Sequence, residues 1–250
     1  KDVKICQWFL DPLIKKGPDY LNNKKRILKL EKYVDASFLT SDPKALNFKI
    51  RNSFFMPNPS DISFEMIDNS LQKKNKDLFF AMSHGVHRGK LKKGKYDERE
   101  FFLDKLKNKL TDIDFDFFGY DNKEPLWADK FIESIKNYDM GLNLSRGKPL
   151  KYYSSDRIVQ IIGNGLLCLI DQKTQLSNLI PKNCAVYYKD INDLAKKINF
   201  YKKNIKLMKK IANRGRKFYN KNYNSTIVSQ FFIDITFDLK NRYKYLWYKK

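Results

Sequence analysis

Short apolar runs recur along the chain, and between most of them lie longer stretches whose apolar side chains return every third or fourth position. The first pattern predicts buried strands and the second amphipathic helices. VKICQWF from Val3, ASFLTS from Ala36 and SFFMPNPSD from Ser53 predict extended segments. A basic helix from about Asn22 to Tyr33 separates the first two, and a short helix near Pro43 to Leu46 the second and third. Pro57, Pro59 and the polar residues after them predict a linker, with Ser70 to Asp77 on its solvated side.

A second alternation begins at LFFAMS, Leu78 to Ser83. A long basic loop follows, HGVHRGKLKKGKYD, then a helix from Glu98 to Leu110. The order continues as strand FDFFGY, helix LWADKFIESIKN, strand MGLNLS, helix SSDRIVQII, strands LLCLID and CAVYYK, and helix INDLAKKINFYKK. In SSDRIVQII the apolar positions Ile158, Ile161 and Ile162 form one buried face, and Gly163-Asn164-Gly165 reads as the helix stop. After Asn204 the pattern is helical and basic. It closes on one aromatic-rich helix, TIVSQFFIDITFDLKNRYKYLWY. Strands alternating with helices predict an α/β fold with a Rossmann-like, doubly wound parallel sheet. No repeat of fixed period and no sustained heptad is present, which excludes solenoids and coiled coils.

With 250 residues there is room for two modest cores, divided near residue 72. Charge adds a second constraint: 50 Lys and Arg against 28 Asp and Glu, a formal +22. Such a field attracts nucleic acid, anionic headgroups or a phosphorylated ligand. It also fits a solvated lysine face, since the chain is rich in the residues that AT-rich codons supply. Cys6, Cys168 and Cys184 are few, odd in number and set in apolar runs, so they read as free buried thiols in a reducing compartment. The longest apolar stretch, IVQIIGNGLLCLI, is shorter than the ~20 residues of a membrane span, and no signal peptide is legible. The chain therefore reads as cytoplasmic, resting at most on the inner face of a membrane. Because it starts at Lys1 with a strand-like run at once, it also reads as an excerpt of a longer protein.

In a doubly wound sheet the ligand sits outside the carboxyl ends of the strands. Two basic loops occupy that position: one after Ser83, with His84, Arg88 and Lys90, and one from Ser145 to Ser155, with Arg146 and Lys148. The second feeds a helix whose amino terminus favours anions. Ser154 and Ser155 either cap that helix or donate hydroxyls to a phosphate. H-x-x-H at His84 and His87 has no third ligand nearby in sequence, so no metal site is expected, and a phosphate or sugar hydroxyl is the better partner for His84. There is no Walker loop, no G-x-G-x-x-G after a strand, and no Ser/His/Asp order that suggests a hydrolase. Asp11, at the end of the first strand, either orients an acceptor hydroxyl or simply opens an Asp-Pro turn.

The linked segment SSDRIVQIIGNGLLCLID, QLSNLIP and CAVYYKDINDLAKKINFY resembles the donor-binding domain of GT-B glycosyltransferases, in particular the CgeB-like members of the group 1 type. Arg157, Gly165, Tyr187, Tyr188, Asp193, Leu194, Ile198 and Tyr201 fall in the order of that pattern. The resemblance runs from about Leu78 to Asn224. It implies residues 1–72 as part of an acceptor-side domain, 73–224 as a nucleotide-sugar domain and 225–250 as a helix packing back on the first. It further implies transfer of a sugar from a nucleotide-diphosphate donor to a hydroxyl, on a cell-envelope glycan or a similar acceptor, with retention and without a bound metal or other cofactor. Arg88, Lys90, Arg146, Lys148, Ser154, Ser155 and Arg157 would hold the diphosphate. Tyr120, after strand FDFFGY, would either meet the base or serve as a core or rim aromatic. The family's ribose-binding Glu falls on Gln160, which hydrogen-bonds without the charge. Two rival readings stand beside this one: a basic nucleic-acid-binding protein, and a donor-fold module without turnover.

Overall fold

The computed structural model describes residues 3–15, 19–83, 86–87, 90–91, 98–120, 123–240 and 244–248, with backbone alone at 86–87 and 90–91. Two parallel sheets organise the chain. The first joins β1 (Cys6–Phe9), β2 (Ala36–Leu39) and β3 (Ser53–Phe55) in the order β1-β2-β3, with α1 (Tyr20–Leu30) as the crossover between β1 and β2. Successive residues of β2 point to opposite faces. Phe38 meets Met56 and residues from the carboxyl-terminal end of the chain, whereas Leu39 packs with Phe9, Leu13 and Ile27.

The second sheet has five strands: β4 (Lys76–Ala81), β7 (Phe115–Phe118), β8 (Tyr138–Asn143), β9 (Leu167–Asp171) and β10 (Val186–Tyr188). All pair in parallel, in the order β10-β9-β8-β4-β7. The apolar run of β9 is buried on both faces: Leu167 and Leu169 enter one core, Cys168 and Ile170 the other. The first core is closed by α2 (Glu98–Lys107), α5 (Ile191–Lys203) and part of α6 (Ile205–Asn222). The second is closed by α3 (Ala128–Ile135), α4 (Asp156–Gly163) and the end of α6. Since β7 and β8 flank β4 on opposite sides, the strand order reverses at β4, and a crevice opens beyond the carboxyl ends of β4 and β8.

The helix stop after α4 is as the pattern predicts. Gly165 takes φ +73°, and the N–H of Leu166 donates back to Ile161 O at 3.0 Å. Three other expectations change. The loop after Ser83 contains a short antiparallel hairpin, β5 (Val86–His87) with β6 (Lys90–Leu91). The linker's supposed solvated side is in part buried, since Ser70 and Asp77 at its two ends are enclosed; Asn69 just before it is also enclosed, donating its side-chain amide to Ile135 O at 2.8 Å and its backbone N–H to Asn164 O at 2.9 Å. The final helix is also shorter than its aromatic pattern suggests. α7 covers Ser225–Thr236 and stops where Asp238 adopts φ +48° and Leu239 N–H donates to Asp234 O at 2.8 Å. Beyond it Tyr245 and Trp247 still pack on Phe231, so the aromatic residues serve a core without continuing the helix.

The two sheets are tied through the segment before α4. Ser154 N–H donates to Thr40 O at 2.7 Å, Asp42 N–H to Lys151 O at 3.0 Å, and Lys151 pairs with Asp42 at 2.8 Å. Asn58 bonds Ser154 from the other side. Cys6, Cys168 and Cys184 are free thiols; Cys168 and Cys184 are buried and Cys6 is half-buried. No helix among the described residues is long and apolar enough to cross a membrane.

Candidate active site

A cleft of about 690 Å³ lies between the two sheets, at the crevice beyond β4 and β8. One wall comes from the first sheet's loops, with Asp11, Ile14, Asp19 and Tyr20. The other comes from Ala81 to Ser83, Ser145 to Gly147 and the face of α4 that carries Arg157, Gln160 and Asn164.

Arg157 is central to this geometry. Its Nε donates to Ala81 O at 3.1 Å and its Nη1 to Leu144 O at 3.0 Å, so one guanidinium spans the ends of β4 and β8. It also lies over the Phe80 ring at 5.0 Å. Burial, together with the nearby positive charge of Arg99, pulls its pKa down to about 10, still well above neutrality. Arg146 and Arg99 line the same cleft, which therefore carries three arginines.

The serines expected on phosphate are committed elsewhere. Ser155 occupies the N-cap position of α4 with extended backbone, but its Oγ donates to Asn143 Oδ1 at 2.9 Å and caps no helix N–H. Ser154 turns its Oγ to accept from Asn58 N–H at 3.1 Å and does not line the cleft. Asp156 already places a carboxylate in the first turn of α4, where it accepts from Asn58 Nδ2 at 2.7 Å. The helix end is thus partly neutralised by its own chain, and the charge for an anion falls to the arginines. Burial raises the pKa of Asp156, opposed by Arg157 and reinforced by Asp11.

Of the residues singled out in sequence, the cleft brings together Asp11, Arg146, Ser155, Arg157 and Gln160. Lys148 is exposed and outside the lining. Tyr120 also lies outside it: its hydroxyl donates to Asp104 and its ring packs against Phe117. His84 and Arg88 lie outside the described residues, and of Lys90 only the backbone, opening β6, is described. Among the described residues no group of three His, Cys, Asp or Glu side chains could hold a metal ion.

Several lining residues escape a sequence reading. Arg99 arrives from α2, and Glu65 and Phe64 from the linker. Trp127 stands 55% exposed on the rim and Phe64 72%, two apolar surfaces open to a flat ligand. Tyr153, its pKa pushed up to about 12 by burial, is a neutral hydrogen-bond donor at physiological pH. Trp127, which the pattern put inside a helix, stands extended just ahead of α3; for Glu65 there is no sequence signal, because its role depends on a contact nearly a hundred residues away.

A family model described as glycosyl transferase-like matches residues 98–234. No curated protein sequence matches the chain. Among solved structures, TarM is 12% identical with a TM-score of 0.65, over 94% of this chain and 51% of its own. HepE of Anabaena, in complex with UDP and glucose, is 10% identical with a TM-score of 0.64, over 94% of this chain and 72% of its own. An alpha-glucosyltransferase in complex with UDP-glucose and DNA containing an abasic site is 11% identical with a TM-score of 0.59, over 93% and 71%. At such identities the likeness is one of fold, and the chain spans about half the length of TarM.

Proposed function

The chain belongs to the glycosyl transferase-like family, and from that premise we propose that it moves a sugar from a nucleotide-diphosphate donor to a hydroxyl of a glycan acceptor, a cell-envelope glycan or a similar one. The observation that carries this reading is the convergence of Arg99, Arg146 and Arg157 on one cleft at the strand-order switch. Fixed guanidinium groups in a partly dry cleft stabilise the charge that develops on a departing diphosphate, because little solvent reorganisation is needed. The chemistry follows from that placement. Arg146 and Arg157 hold the diphosphate, with Gln160 in the cleft wall beside Arg157, while Asp11 on the opposite wall orients the acceptor hydroxyl. Solved structures of this fold with UDP or UDP-glucose bound support the donor class.

The test is a thermal-shift panel of UDP, GDP, dTDP, CMP and their sugar conjugates at about 0.15 M salt, where exposed charges are largely screened. One nucleotide series is expected to stabilise the protein, and Arg146→Ala to lose most of that gain. If no nucleotide shifts the melting temperature and DNA or RNA binds in a steeply salt-dependent way, the reading is wrong and the basic surface serves nucleic acid.

A further inference from the structure

Four carboxylates line the cleft: Asp11, Asp19, Glu65 and Asp156. Against a diphosphate any of them is repulsive, so each has to meet some other part of a ligand or a counter-charge of the protein. Glu65 differs from the rest by being 8% exposed, and among the described residues the groups that act on its carboxyl include no cation. The carboxylate accepts from Asp61 N–H at 2.8 Å, and Glu65 N–H donates to Asp61 O at the same distance. Asp61 is itself pinned by the Ser225 hydroxyl at 2.6 Å and by Ser63. A carboxylate with about four lone-pair sites still has acceptor capacity after such contacts. Its stem lies flat on α4: a Cβ built on Gly163 would come within 2.4 Å of Glu65 Cγ and 2.8 Å of its Cβ. Glycine at that position lets the glutamate approach the helix, one turn below Gln160.

Position along α4 decides what Glu65 meets. Six residues separate Arg157 from Gly163, about 9 Å of helix at 1.5 Å per residue. A nucleoside running from a diphosphate at Arg157 toward the carboxyl end of α4 reaches Glu65 with its two vicinal sugar hydroxyls. Hydroxyl donors suit a buried carboxylate where phosphate does not, and a charged acceptor binds them more strongly than an amide does. Gln160, on the same helix face, has only an amide to offer.

We propose that Glu65, reaching in from the linker, is the residue that binds the ribose hydroxyls of the donor nucleotide, and that it supplies the charged acceptor missing from α4 at Gln160. This inference rests on the donor-site reading above. Its test compares UDP with 2′,3′-dideoxy-UDP by calorimetry on the wild-type protein, Glu65→Gln and Gln160→Ala. Glutamine keeps the size of the side chain and an acceptor for Asp61 N–H, so the melting temperature of Glu65→Gln is expected to stay close to wild type. The wild type is expected to favour UDP by about tenfold or more, the discrimination a charged hydrogen bond gives. In Glu65→Gln the preference should shrink to less than about threefold, through weaker UDP binding with dideoxy-UDP unchanged, whereas Gln160→Ala should keep it. A merely structural glutamate would weaken both ligands alike, and that result overturns the proposal. So does full discrimination in Glu65→Gln, or its loss in Gln160→Ala. If the wild type binds neither ligand, nor GDP or CDP, the donor reading fails and this inference with it.

Discussion

The guanidinium of Arg157 donates to carbonyl oxygens at the ends of two different strands, so it shapes the crevice as well as carrying charge into it. Arg157→Ala is expected to weaken nucleotide binding at least tenfold and also to lower the unfolding free energy by about 2 kcal/mol, because two enclosed carbonyls lose their donors. Isothermal titration and urea denaturation separate the two effects. Arg146→Ala should show a binding loss of the same order. At this scale the sequence was informative where function follows helix position: Arg157 and Gln160 fall on the cleft face of α4 because residues three apart share a face. For Ser154 and Ser155 it left two roles open, and their hydroxyls find Asn58 and Asn143, partners on other segments that no local pattern announces. For Glu65 and Arg99 it was silent, since nothing local marks a residue that a distant helix will receive.

Among the elements, the caps carry the clearest expectations. Asp190 accepts from the N–H groups of Asn192 and Asp193 at the start of α5, and Asp190→Ala should cost about 1 kcal/mol in a urea titration. The turn from Asp61 to Glu65 is joined to α7 through the Ser225 hydroxyl, which, ahead of the bonds from Ser63, draws the Asp61 pKa down from 3.8 to about 2. A carboxyl with a depressed folded pKa stabilises the protein fully above its unfolded value, and that contribution is lost as pH falls from about 4 through 2. Asp61→Asn should therefore be less stable than wild type at neutral pH and flatter between pH 4 and pH 2, the two curves converging at the acid end of a pH series of melts. Strand positions were legible because short apolar runs leave few alternatives. The end of the last helix was not: aromatic residues continue past Thr236 to pack on Phe231, while the backbone turns out of the helix at Asp238.

At the scale of the whole molecule, α7 is what completes the first sheet. Phe231 is fully buried against Phe38, Tyr245 and Trp247, so Phe231→Ala removes the centre of that core and should cost about 3–5 kcal/mol. Followed by tyrosine and tryptophan fluorescence during urea unfolding, the loss should fall first on the α7 side of the molecule, with the five-stranded sheet holding to higher denaturant. The parallel architecture itself was readable in the alternation of strands and helices. The placement of the cleft between two sheets was less so, because it depends on Ser154, Lys151 and Asn58 tying segments that are far apart in sequence.

The packing of Phe38 against Phe231 also sets an order of events during synthesis. Roughly two hundred residues lie between them, so while the chain is being made the first sheet emerges with one apolar face uncovered and waits for nearly all the rest of the described chain before it can close. The five-stranded sheet, whose partners are closer together in sequence, can settle earlier and offer the loop before α4 as a dock. Within this stretch the sheet translated earlier is thus the one finished later, and a ribosome stalled before Ser225 would hold a formed five-stranded sheet beside an open, aggregation-prone one.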